Sequence, residues 1–155
     1  MTDTQTRSGF VVLIGPPNAG KSTLMNQMVG QKVSIVTPKV QTTRSRIRGI
    51  AMKGTSQMVF VDTPGIFRPK RRLDRAMVHA AWEGVEDGDV LLLLHDCARK
   101  VIDNDTPAIL ARIKEQKLTV SLVLNKTDLA SPEQLLSRTK ALSDEYEFEK
   151  IFMVS

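Results

Sequence analysis

The chain has 155 residues, with 22 Lys and Arg against 17 Asp and Glu for a net charge of +5, and is 41% hydrophobic and 25% charged. That length suits one domain with its own core, and the composition excludes wholesale disorder, collagen and disulfide-rich scaffolds. Cys97 is the one cysteine, so neither an intramolecular disulfide nor a cysteine-based zinc cage can form, which fits a reducing compartment. Residues 1–8 are polar and lack an apolar signal core. Aliphatic runs such as 11–14 and 90–94 are far shorter than the about 20 apolar residues that span a bilayer.

The charge is uneven. Residues 32–75 hold eleven bases (Lys32, Lys39, Arg44, Arg46, Arg48, Lys53, Arg68, Lys70, Arg71, Arg72 and Arg75) and two acids, Asp62 and Asp74, a net of +9. The remainder carries −4. A stretch of this kind is either a solvated basic face or a surface for an anionic partner such as RNA.

In chain order, the continuous apolar run 10–14 reads as a buried parallel strand ending at Gly15. Lys21–Val29 reads as a helix stopped by Gly30. Residues 31–43 have no clear period and include Thr37-Pro38, so they read as a loop. Segments 44–52 and 57–61 read as two strands joined by a turn at Gly54, and 62–72 as a second loop. Helical spacing follows at Leu73, Met77, Ala80, Ala81 and Trp82, over 73–85. A strand is predicted over 89–94, and a helix from Thr106-Pro107 to about Glu115, with proline suited to the first helical turn. A strand over 119–124, a helix opened by Ser131-Pro132-Glu133 with Ser131 as N-cap, and a strand from Ile151 complete the chain. Strands alternating with helices imply a doubly wound α/β sheet, six-stranded and mostly parallel, with helices on both faces.

Gly15-Pro16-Pro17-Asn18-Ala19-Gly20-Lys21-Ser22 matches the G-x-x-x-x-G-K-[ST] phosphate loop in its required setting, after a strand and before a helix. Backbone amides from Gly15 to Thr23 and the helix N-terminus supply partial positive charge to phosphates. Lys21 adds a full charge toward the β- and γ-phosphates, and the Ser22 hydroxyl suits Mg²⁺. This loop alone separates neither ATP from GTP nor kinase from hydrolase. Asn125-Lys126-Thr127-Asp128 follows a strand. A carboxylate accepts hydrogen bonds only, so Asp128 suits the paired N1–H and N2–H₂ donors of guanine, and adenine offers no such pair. Asn125 can donate to the N7 and O6 side and brace the loop, and the Lys126 stem can cover the base. Asp62-Thr63-Pro64-Gly65 ends another strand. Asp62 suits Mg²⁺, through a water, and the Gly65 N–H suits the γ-phosphate. A hydroxyl from Thr42 or Thr43 would complete the metal shell.

The ordered set GPPNAGKS, QTTR (residues 41–44), DTPG and NKTD, with KVSIVTPKVQTTRSRIRGI over 32–50, resembles the Era family of translation-factor-class GTPases across about residues 9–155. The resemblance implies a Mg²⁺-dependent P-loop NTPase that hydrolyses GTP to GDP and phosphate as a switch in small ribosomal subunit (16S rRNA) assembly. It implies a cytoplasmic protein, with room for peripheral contact at the inner membrane. It places Lys21 on phosphate, Ser22 and Thr43 on Mg²⁺ with Asp62 in the outer shell, and Asn125, Lys126 and Asp128 on guanine. Asn18 takes the position that holds K⁺ in potassium-stimulated relatives. Such a cation can neutralise charge between phosphates as an arginine finger does. Ras-like GTPases put a water-orienting glutamine after the DxxG glycine. Here Ile66 stands there, so slow intrinsic hydrolysis is expected. Ser155 is the first residue of the family's last guanine-binding element. A GTPase domain ending before its terminal helix, without the family's C-terminal KH domain, is the expected organisation.

Three other readings compete. One is a GTP-dependent binding module with negligible turnover. Another is a relative acting on tRNA or the large subunit. The third is a basic RNA binder with a vestigial nucleotide site, which the intact Lys21, Ser22, Asp62 and Asp128 disfavour. His79 and His95 have no positioned partner in the motifs and read as ordinary surface or core residues. Met25, Met28 and Trp82 read as packing residues, and Cys97 as inert.

Overall fold

The computed structural model describes residues 5–30, 47–63, 66, 69, 72–86 and 88–155. Six strands form one sheet in the order β2-β3-β1-β4-β5-β6. The strands are β1 Arg7–Ile14, β2 Ile47–Lys53, β3 Ser56–Asp62, β4 Val90–Asp96, β5 Ser121–Asn125 and β6 Ile151–Met153. The helices are α1 Lys21–Val29, α2 Arg72–Glu86, α3 Thr106–Glu115 and α4 Pro132–Glu145. All neighbouring strands run parallel except β2, which is antiparallel to β3. The doubly wound, mostly parallel six-stranded sheet is therefore as expected.

Central strands of such a sheet are covered on both faces, which is why they read as unbroken apolar runs. Val12, Leu13 and Ile14 are all fully buried. Successive side chains point to opposite faces. Val12 and Ile14, with Leu91, Leu93, Leu122 and Leu124, pack under α2, α3 and α4 in the larger core. Leu13, Leu94 and Val123 turn to the other face, where Met25 of α1 meets them. Truncating one of these buried leucines to alanine costs about 2–5 kcal/mol. The α1 face also carries an apolar groove of about 440 Å³, lined by Val11, Leu24, Met28, Phe60, Leu92 and Phe152 among others.

Element ends differ from the expected ones where tertiary contacts act. β4 runs two residues further than expected, through His95 and Asp96, because β5 pairs with both. Leu73, expected on the buried stripe of α2, is exposed, and the stripe is Met77, Ala81, Trp82, Gly84 and Val85. Met28, expected in the core, is half exposed at the groove, whereas Met25 is buried. Trp82 packs in the core with the Arg112 guanidinium 4.6 Å from its ring centroid. Ser131 caps α4 as expected, in a full capping box with Gln134.

Candidate guanine-nucleotide site

β1 lies between β3 and β4, although β2 and β3 follow it in sequence. The connections leaving β1 and β3 thus run in opposite directions across the sheet. Such a reversal opens a crevice at the carboxyl ends of the strands. Residues 15–20 leave β1 at that point and lead into α1.

The loop's backbone explains its residue types. Gly15 has φ +153°, and an added Cβ would lie 2.8 Å from the Leu94 carbonyl oxygen. Gly20 has φ +97°, and a Cβ there would lie 2.1 Å from Asn125 Nδ2. Asn18 is left-handed at φ 62°, a region that asparagine tolerates better than most residues. No side chain caps α1 and no acid stands in its first turn. Its amides and dipole therefore face the loop with no acid of the helix's own beside them, as suits an anion site.

Lys21 is buried and its Nζ donates to the carbonyls of Gly15 at 3.2 Å and Pro16 at 2.8 Å. Burial lowers its pKa from 10.5 to about 8, against the opposing pull of Asp62. Register places Asp62 of β3 beside Leu13 of β1. From there its Oδ2 accepts the Ser22 hydroxyl at 2.5 Å, with both residues buried. Two hard oxygen donors thus meet at the loop, which is the donor chemistry Mg²⁺ prefers. Thr42, Thr43 and Gly65 lie outside the described residues, as do Lys32, Lys39, Arg44, Arg46, Arg68, Lys70 and Arg71 of the basic stretch. Thr63, given no role by sequence reasoning, is fully buried and its hydroxyl donates to the Leu13 carbonyl at 2.7 Å, tying the DTPG segment to β1. Its only signal in the sequence was its place in the motif. Ile66 is also tied in, its N–H donating to the Gly15 carbonyl at 2.9 Å while its side chain enters the main core.

The NKTD segment closes the other side. Asn125 ends β5, and its Nδ2 donates to the Ala19 carbonyl at 3.0 Å, the bracing role expected of it. Its Oδ1 accepts the Lys126 N–H at 2.9 Å. The Lys126 ammonium donates to the Asn18 carbonyl at 3.3 Å and to Asp96 Oδ2 at 2.9 Å. Asp128 sits exposed in the one-turn helix Thr127–Leu129. Thr127 donates through both its N–H, at 3.2 Å, and its hydroxyl, at 3.1 Å, to the Val154 carbonyl. Ser155, the next residue, is thereby brought beside the NKTD segment. Thr23 is exposed on the first turn of α1. The structure thus gathers Gly15, Asn18, Ala19, Gly20, Lys21, Ser22, Asp62, Asn125, Lys126, Asp128 and Ser155 at one end of the sheet.

The histidines and Cys97 behave as expected. His79 is an exposed residue near Glu83. His95 is fully buried, and its Nε2 meets Arg138 Nη1 at 2.6 Å. Arginine only donates, so Nε2 accepts and the ring proton is on Nδ1. Burial and Arg138 push its pKa down to about 4, which leaves a neutral structural link between β4 and α4. Cys97 is buried, and burial raises its thiol pKa. Among the described residues, no helix is long and apolar enough to cross a membrane.

The chain is 57% identical over 150 residues to GTPase Era of Mesorhizobium japonicum, covering 97% of this chain and 48% of that protein. It is similar to a crystal structure of Era in complex with MgGDPNP and nucleotides 1506–1542 of 16S ribosomal RNA (TM-score 0.88, 35% identity, 97% of this chain and 52% of that one). It is also similar to a variant of Aquifex aeolicus Era bound to GDP.AlF4- (TM-score 0.85, 35% identity, 96% and 51% coverage). The chain spans about half the length of the curated relatives it matches. Residues 10–126, which run from β1 through the phosphate loop to the NKTD lysine, match the 50S ribosome-binding GTPase family, and the chain belongs to that family.

Proposed function

We propose that this chain binds GTP and GDP and hydrolyses GTP to GDP and phosphate, as a cytoplasmic switch in assembly of the small ribosomal subunit. One observation carries the nucleotide reading. The base-side residues Asn125 and Lys126 are hydrogen-bonded directly to the phosphate-loop carbonyls of Ala19 and Asn18, at 3.0 and 3.3 Å. Base and phosphate recognition are thereby held at one fixed spacing. Asp128 then accepts the two guanine donors, and Lys21 neutralises phosphate charge. The amides of the loop orient the phosphate oxygens. Ser22 would hold Mg²⁺, with Asp62 in its outer shell and Thr43 as a further ligand, and the metal would neutralise phosphate charge. The Gly65 N–H would report the γ-phosphate.

The buried Ile66 side chain contributes no hydrogen bond to an attacking water. Water must instead be oriented by backbone groups or a partner, so intrinsic turnover is slow. Asn18 would hold K⁺ beside the phosphates, giving K⁺-stimulated hydrolysis. The test is multiple-turnover phosphate release from GTP with Mg²⁺, in K⁺ and then in Na⁺. Release is expected in both and faster in K⁺, with Asn18→Ala levelling the two salts. No release above buffer in either salt would sink the enzyme reading, and equal stimulation in the variant would remove Asn18 from the cation site.

The partner reading rests on the similarity to Era, one relative of which is seen with 16S rRNA, and on the basic stretch 32–75. The family description points instead to the 50S particle. Co-sedimentation with isolated small and large subunits separates the two. Nucleotide-dependent, salt-sensitive binding to the small subunit is expected, and binding to the large one alone would overturn this assignment.

A further inference from the structure

Asp96 carries no recognised motif, yet it holds one end of the base-side lysine. It ends β4 in register with Asn125, the last residue of β5. The Cys97 N–H donates to the Asn125 carbonyl at 3.0 Å, fixing the two strand ends together. Asp96 is itself buried. Its Oδ1 accepts the Ala98 N–H at 2.8 Å, which sets the carboxylate plane. Its Oδ2 is then aimed at the Lys126 ammonium, 2.9 Å away.

The same ammonium reaches the Asn18 carbonyl. Lys126 and Asn18 are two of the three non-glycine residues with positive φ among the described residues. One charged group therefore bridges two strained backbone positions, one in the base loop and one in the phosphate loop. A lysine side chain is a flexible four-carbon stem. Tethered at its head, this stem is held in one course between the two loops by protein groups alone, and the ordering cost of binding falls accordingly.

We propose that Asp96 is a positioning residue of the guanine-nucleotide site: it holds Lys126 against the phosphate loop, so that the lysine stem is preset for the base and the Asn18 turn is preset for the phosphates. This rests on the guanine-nucleotide reading above. Asp96 has no contact with nucleotide in this scheme and acts through Lys126 alone.

The test is a double-mutant cycle on binding and dissociation of a fluorescent GDP analogue, using the chain with Asp96→Ala, Lys126→Met and both changes. The cost of immobilising a rotamer-rich side chain on binding, which the tether would otherwise remove, predicts that Asp96→Ala weakens binding by up to about tenfold. In the Lys126→Met background the same change should alter affinity less than about twofold, since the group it acts through is gone. Asp96→Asn keeps the shape and the Ala98 acceptor but loses the charge. It should reproduce the direction of the effect and serves where the alanine variant unfolds. Wild-type affinity in Asp96→Ala and Asp96→Asn overturns the proposal. So does an equal loss in both backgrounds, which would assign Asp96 to general folding. Absence of binding by the unaltered chain would instead overturn the guanine reading itself, and this proposal with it.

Discussion

Lys21 gives the sharpest quantitative prediction. It is buried on two loop carbonyls, with its pKa lowered from 10.5 to about 8. Phosphates favour the charged ammonium, so only that form binds them well. Below about pH 8 Lys21 is charged and GDP affinity should be level in pH. Above it, each pH unit removes about tenfold of the charged form, or about 1.4 kcal/mol. Nucleotide binding should therefore be about tenfold weaker at pH 9 than at pH 7. A lysine at the ordinary value would lose only a few per cent over that interval. The effect on folding has the opposite sign. Between the lowered and ordinary pKa values the unfolded chain holds the extra proton, so this group's contribution to stability rises with pH. Loss of affinity is thus not unfolding in disguise. The assay is a fluorescent GDP analogue titrated at fixed ionic strength from pH 7 to 9, for the unaltered chain and for Lys21→Met. The variant shares every titration of the nucleotide and lacks that of Lys21. It should bind more weakly with a flatter pH profile. A level profile in the unaltered chain, or parallel slopes in both, would refute the assignment of a buried, phosphate-facing ammonium with a lowered pKa.

Two further substitutions probe the base side and the loop. Asp128→Asn should move preference from GTP toward xanthosine triphosphate, because an amide donates where the carboxylate accepted; competition binding checks this, and an unchanged ratio removes Asp128 from the base site. Gly20→Ala should impose about 1–3 kcal/mol of left-handed strain and drive Asn125 off the Ala19 carbonyl, since the new Cβ would sit 2.1 Å from its amide nitrogen. More than tenfold loss of GDP affinity is expected, and an unaltered affinity and melting temperature would show that the two loops are not locked as described.

Local chemistry was legible along the chain wherever a residue's role depends on its neighbours in sequence. The phosphate loop is one continuous segment, so its two glycines, Lys21 and Ser22 announce a strand, a turn and a helix N-terminus together. The capping box at Ser131 and the stop at Gly30 are likewise settled within one helical turn. Apolar runs 11–14 and 90–94 identified the central strands because burial on both faces removes the need for alternation. Amphipathic spacing was less secure: Leu73 fits the helical period of α2, yet it is exposed among the described residues, and Met28 fits α1 but borders the groove.

Pairing across the sheet was decided elsewhere. Residues 62 and 13, or 96 and 125, become neighbours only when parallel strands from distant segments settle in register. The Ser22–Asp62 contact, the Thr63 bond to β1 and the Asp96–Lys126 tether depend on that register, and the His95–Arg138 link on the approach of α4 to β4. None has a spacing signature in sequence. The amino-acid order alone thus determined which groups are present to bind phosphate and guanine. The tertiary structure decided which backbone carbonyls and carboxylates hold those groups in place, because a hydrogen bond depends on distance in space and not on separation along the chain.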